Sequence, residues 1–178
     1  MTTYIALLRG ANVGGITIRS AELRELFASM GFDDVRTGLA SGNVVFASER
    51  SDAAASDDLK HRIERALGDR FGYDAWIVLV TREQVERVVA AFPFDPADAT
   101  RQPWVVFATD RAVLDELVTA AGEFDPDVDP IASGDGVIYW NPVKGTTVDT
   151  PFAKLIGKAR YKPVTTNRNL RTLLKLLA

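Results

Sequence analysis

The order of apolar and polar positions divides the chain into short segments of two periods. Thr3 to Leu8 is an unbroken apolar run, the pattern of a strand buried on both faces. After a glycine-rich stretch, Leu23, Leu26, Phe27 and Met30 recur at helical spacing, with Ser20 placed to cap the helix and Gly31 to end it. Val35 to Leu39 and Gly42 to Ala47 read as two strands joined tightly around Ser41-Gly42. Ser48 to Ser56 is polar and Ala-rich, the composition of a surface connection. Leu59, Ile63, Ala66 and Leu67 then mark a helix that stops near Gly72, and Ala75 to Val80 is a further strand. Strand, helix, strand, strand, helix, strand is the order of a split βαβ, or ferredoxin-like, plait.

Thr81 and Gln84 form a capping box for a helix bearing Val85, Val88, Val89 and Phe92, after which Pro93 and Pro96 punctuate the chain. The second half repeats much of the order. Pro103 to Ala108 reads as a strand, and Asp110 caps a helix with Val113, Leu114, Leu117 and Val118 that closes at Gly122. Val128 to Ala132 and Val137 to Trp140 form a hairpin around Gly134-Asp135-Gly136. Thr150-Pro151 opens another helix, and a last one starts after Thr166. The expected fold is therefore α+β: two plait-like subdomains with mostly antiparallel sheets, the second followed by C-terminal helices. The boundaries are 1–81 for the first, 82–102 for a connecting helix and Pro-containing linker, and 103–178 for the second with its basic C-terminal helices.

Composition narrows the class. With 178 residues, 47% hydrophobic and 25% charged, the chain can bury a core without a covalent staple. It has no cysteine, so disulfides, thiolate metal sites and a cysteine nucleophile are excluded. The N-terminus has neither a basic n-region nor a long apolar h-region, and no apolar run approaches the roughly 20 residues of a membrane helix. A cytoplasmic protein without membrane contact is expected. Net charge is −3, but after Asp149 every charged side chain is basic: Lys154, Lys158, Arg160, Lys162, Arg168, Arg171 and Lys175. The first 149 residues are left at −10. A block of one sign marks either a partner surface or a tail held against the body's own acids.

Three segments carry a resemblance: LLRGANVGG (Leu7 to Gly15) with AELREL after it, VRTGLASGNVVF (Val35 to Phe46), and TNRNLRTLLKL (Thr166 to Leu176). Together they resemble the DUF1697 family of bacterial proteins of unknown function. The resemblance implies paired plait-like α/β subdomains and leaves activity open. The chain departs from the family pattern at Ala11, Gly38, Ala40 and Leu170.

The candidate chemistry is anion binding. In the stretch Gly10, Ala11, Asn12, Val13, Gly14, Gly15, successive glycines allow backbone N–H groups to turn toward an anion. No Lys-Ser/Thr pair follows, so it is not a P-loop. Arg9 stands beside this loop, and Ser41 and Asn43 lie on the neighbouring hairpin, where they also suit ordinary turn chemistry. In the C-terminal segment Leu170, Leu173, Leu174 and Leu177 form an apolar stripe, with Arg168, Arg171 and Lys175 opposite. Thr165, Thr166 and Asn167 stand at the expected helix start, where free N–H groups favour phosphate or carboxylate. The candidate ligand-binding set is thus Arg9, Gly10, Asn12, Gly14, Gly15, Ser41, Asn43, Thr166, Arg168, Asn169, Arg171 and Lys175.

No cofactor or metal site is expected, and the residues do not identify a catalytic group. His61, the one histidine, sits between Lys60 and Arg62 as on an exposed helix face. Asp125, Asp127 and Asp129 imitate the start of a calcium loop, but Pro130 replaces the required Gly. Trp104, Tyr139 and Trp140 suit sheet packing better than base stacking. The reading favoured is a binding module for a phosphorylated ligand, including nucleic acid. The alternatives are an enzyme acting on a small anionic metabolite, with Arg168 and the glycine loop as clamp, or a partner-protein module.

Overall fold

A computed structural model describes residues 1–10, 15–39, 42–49 and 52–178. The chain divides into two compact units, Met1–Gln84 and Val85–Ala178. No helix among the described residues is long and apolar enough to cross a membrane.

The first unit runs β1 (Thr2–Arg9), α1 (Ser20–Ser29), β2 (Asp33–Thr37), β3 (Asn43–Ser48), α2 (Ala53–Phe71) and β4 (Trp76–Thr81). Its sheet has the order β2-β3-β1-β4, antiparallel throughout. Each helix crossover skips one strand position, which is what a split βαβ plait requires. Tyr4, Ala6 and Leu8 alternate onto the helix-bearing face. There they join Leu23 and Phe27 of α1, Leu59, Ile63 and Leu67 of α2, and Val44 and Phe46 of β3 in one core. Phe27, Phe32 and Phe46 pack ring on ring, with centroids 4.5–5.9 Å apart. Ile5, Leu7 and Val45, on the other face, are buried as well, so β1 reads as an unbroken apolar run.

α3 (Arg82–Ala90) begins with the expected capping box: the Thr81 N–H donates to Gln84 Oε1 (2.7 Å) and the Gln84 N–H to Thr81 Oγ1 (3.2 Å). The second unit then repeats the plait with β5 (Trp104–Ala108), α4 (Arg111–Ala121), β6 (Ile131–Ser133), β7 (Val137–Trp140), α5 (Pro151–Ile156) and β8 (Thr165–Asn169), followed by α6 (Leu170–Leu177). Its strand order, β6-β7-β5-β8, is that of the first sheet element for element. Val106, Ile138 and Trp140 of the sheet pack with Leu114 and Leu117 of α4 and with Phe152, Leu155 and Ile156 of α5. Asp110 and Thr150 cap α4 and α5 as expected.

Three expectations need correction. Ser20 is the first residue of α1 rather than its cap: Arg19 holds that position, and its N–H donates to the Glu22 carboxylate (3.4 Å). The stretch Ser48 to Ser56 is not all connection, because Asp52 caps α2 by accepting from the Ala55 N–H (2.6 Å) and the helix starts at Ala53. The segment after Thr165 is not yet a helix. Thr165–Asn169 pairs with β5 along its whole length as the fourth strand, and the last helix begins at Leu170. Asn169 supplies the cap that polar Thr166 and Asn167 imitate, accepting from the Arg171 N–H (3.0 Å). The apolar stripe shifts accordingly. Leu170, Leu173 and Leu176 are buried, whereas Leu174 is 49% exposed.

The aspartates of the apparent calcium loop serve the fold. Asp125 Oδ1 accepts from the Asp127 N–H (2.9 Å). Buried Asp129 accepts from Trp140 Nε1 (2.8 Å) and, through its other oxygen, from the Phe152 N–H (2.9 Å). One carboxylate thereby ties the hairpin to the first turn of α5, where a negative charge also suits the helix dipole.

Candidate functional site

The candidate residues fall in two groups, one per unit. In the first, three segments meet at one end of the sheet. Arg9 closes β1 opposite Trp76, Asn43 opens β3 opposite Leu7, and the Leu8 N–H donates to the Gly42 carbonyl (2.8 Å). Antiparallel pairing puts Arg9 and Asn43 on the same sheet face as Leu7. Asn43 is buried, and its Nδ2 donates to the carbonyls of Gly38 (3.2 Å) and Leu39 (3.4 Å), closing the β2–β3 connection. Burial lowers the Arg9 guanidinium below its ordinary pKa, the mark of a cation held partly out of water. Gly10 takes φ +80° with the Tyr73 ring packed beside it, a left-handed conformation that glycine adopts without steric cost. Gly15 is also left-handed, at φ +85°. Asn12, Gly14 and Ser41 lie outside the described residues.

In the second unit, Thr166 and Arg168 alternate onto one face of β8, opposite Phe107 and Val105. Thr166 is buried, and Arg168 Nη1 donates to its Oγ1 (2.7 Å) and to the Asn167 carbonyl (2.9 Å). Arg168 is therefore a strand residue engaged with its own strand, not a first-turn helix residue. Asn169 caps α6, and Arg171 and Lys175 are exposed on that helix.

The seven C-terminal cations separate by partner. Arg160 pairs with Glu116, and the Tyr161 hydroxyl donates to the same carboxylate (2.7 Å), while the guanidinium lies over the Tyr161 ring (4.9 Å). That cluster fastens the α5–β8 connection to α4. Lys154, Lys158, Lys162, Arg171 and Lys175 are exposed, and none forms an ion pair among the described residues.

Two sheets of identical strand order, with basic side chains gathered in the last thirty residues, define a tandem plait protein with an electropositive C-terminal segment. The chain belongs to the DUF1697 family: the family pattern, described as a protein of unknown function, matches residues 1–139. The third segment of the sequence resemblance lies beyond that stretch. Among solved structures, the conserved bacterial protein SP0830 from Streptococcus pneumoniae is similar in fold. Its TM-score is 0.80 at 24% identity, over 99% of this chain and 97% of that one. The small subunit of acetolactate synthase from Thermotoga maritima aligns over 95% of this chain and 97% of its own, at 15% identity and a TM-score of only 0.25. No curated protein matches the chain.

Proposed function

We propose that the protein is a binding module for a phosphorylated ligand, with single-stranded nucleic acid as the form best matched to several separate cations. The observation that carries this reading is the set Lys154, Lys158, Lys162, Arg171 and Lys175, exposed and without carboxylate partners among the described residues. Ammonium and guanidinium groups in that state can neutralise phosphates and so release the counterions condensed along a nucleic-acid chain. Half-buried Arg168, in the same unit, adds a guanidinium suited to paired phosphate oxygens. We place this binding in the cytoplasm, a reducing compartment that suits a chain without cysteine.

Fluorescence anisotropy with single-stranded RNA and DNA at low and high salt tests the proposal. Affinity should fall steeply as salt rises, by about 0.7 of a log unit per tenfold change in salt for each phosphate neutralised. The double variant Arg171→Ala/Lys175→Ala alters two exposed side chains, so it should fold normally, bind more weakly and show a slope shallower by about 1.4. Absence of binding at low salt, where these contacts are strongest, would retire the reading.

A further inference from the structure

A separate polar cleft lies within the first unit, built by an irregularity in its edge strand. Asp33 stands opposite Ala47 and Arg36 opposite Val45, so β2 spends three steps where β3 spends two. The extra residue bulges, and Asp34 takes φ +50°, a region non-glycine residues seldom enter. Uniform pairing would have set Val35 across from Val45. The bulge brings Arg36 there instead, onto the sheet face that carries Thr3. A cleft of about 350 Å³ results, lined by Thr3, Asp34, Arg36, Val45 and Arg82 together with the strand segments at Val35 and Phe46.

We propose that this cleft binds a small phosphomonoester with a hydroxylated body, the chemistry of a sugar phosphate. Two guanidiniums offer forked N–H pairs that match phosphate oxygens. The Asp34 carboxylate repels a second anionic group but accepts from a hydroxyl, and the Thr3 hydroxyl can donate or accept. Val45, on the face of Thr3 and Arg36, offers apolar contact to the carbon skeleton, and the volume lies within the range of small-molecule sites. Bulges recur beside binding sites because they re-aim a side chain, which is what this one does to Arg36.

The test is an amide-resolved NMR titration of the full chain with inorganic phosphate and, separately, ribose 5-phosphate. Shifts should centre on Thr3, Asp34, Arg36, Val45 and Arg82, and ribose 5-phosphate should bind more tightly than phosphate. Arg36→Gln should weaken both by roughly tenfold or more, the size of a lost charge-assisted hydrogen bond. Asp34→Gly keeps a residue that accepts positive φ. It should bind inorganic phosphate at least as well as the parent while losing the preference for ribose 5-phosphate. Arg171→Ala/Lys175→Ala should leave the titration unchanged, which separates this site from the C-terminal cations. An Arg36→Gln protein with a folded spectrum and unaltered affinity would overturn the proposal, as would shifts abolished by the C-terminal double variant.

Discussion

At the scale of single residues, the hairpin glycine Gly134 is constrained by space rather than by backbone angle. A Cβ there would lie 2.6 Å from Tyr139 Cε2 and 2.8 Å from Val137 Cγ2. The Tyr139 ring has little freedom to yield, because it is buried, its hydroxyl donates to the Val88 carbonyl (2.7 Å), and Phe92 packs edge-on against it. Gly134→Ala should therefore destabilise the fold by about 1–3 kcal/mol, the range for overpacking, measured as a lowered urea midpoint with unchanged m-value. Sequence identified this glycine as turn punctuation but could not show the ring beside it. Asp129 was still less legible. Its DxDxD spacing suggested a loop, while its two bonds, to Trp140 and Phe152, join segments 11 and 23 residues away. Asp34 is legible only in hindsight, since nothing in Asp33-Asp34-Val35 separates a bulged strand from a regular one.

At the scale of elements, apolar runs and caps found most of the chain because burial and capping are written locally. β1, β7, α4 and α5 follow from contiguous or periodic apolar residues and from Asp110, Thr150 and Pro151. β8 escaped because Thr-Thr-Asn-Arg-Asn has no apolar alternation. It is a strand through its pairing with β5, and Thr165-Thr166, β-branched side by side, were its one local signal. Missing it displaced the following helix start and gave the apolar stripe of α6 the wrong phase. Two substitutions read that phase directly. Leu173→Ala removes a fully buried side chain and should cost about 2–5 kcal/mol, whereas half-exposed Leu174→Ala should change stability by no more than about 0.5 kcal/mol. Thermal or urea unfolding gives both values; equal losses would contradict the helix as described. The same shift explains why Arg168 reads differently in space: two residues before the helix, it lies in a strand and donates to Thr166.

At the scale of the whole molecule, alkaline pH is a sensitive probe. Burial raises Tyr73 to about 12, and Tyr139 is raised chiefly by burial. Tyr161 is raised first by its hydrogen bond to Glu116. A phenol whose folded pKa lies above its unfolded value of about 10 contributes fully below pH 10. That contribution is lost as pH climbs toward the folded value, because the unfolded chain releases its proton first. Stability should thus fall between pH 10 and 12, with Tyr73 contributing. The Tyr73 hydroxyl is buried and has no hydrogen-bond partner among the described residues, so Tyr73→Phe should unfold no more easily at pH 7 and lose less stability at pH 11. Urea melts at the two pH values measure both effects. Fold class and tandem organisation were legible at this scale because element order repeats even without repeated residues; the partners of the basic segment were not, since charge along a chain does not say which acids lie near it in space. The repeated strand order also sets a timetable for synthesis. In each unit the strand made first, β1 or β5, takes the strand made last, β4 or β8, as a direct neighbour, so no sheet is complete until its unit has been translated to the end. At roughly 5–20 residues per second on the ribosome, the amino-terminal sheet has all four strands by Thr81 and gains several seconds in which to assemble before the first strand of its successor can find its last.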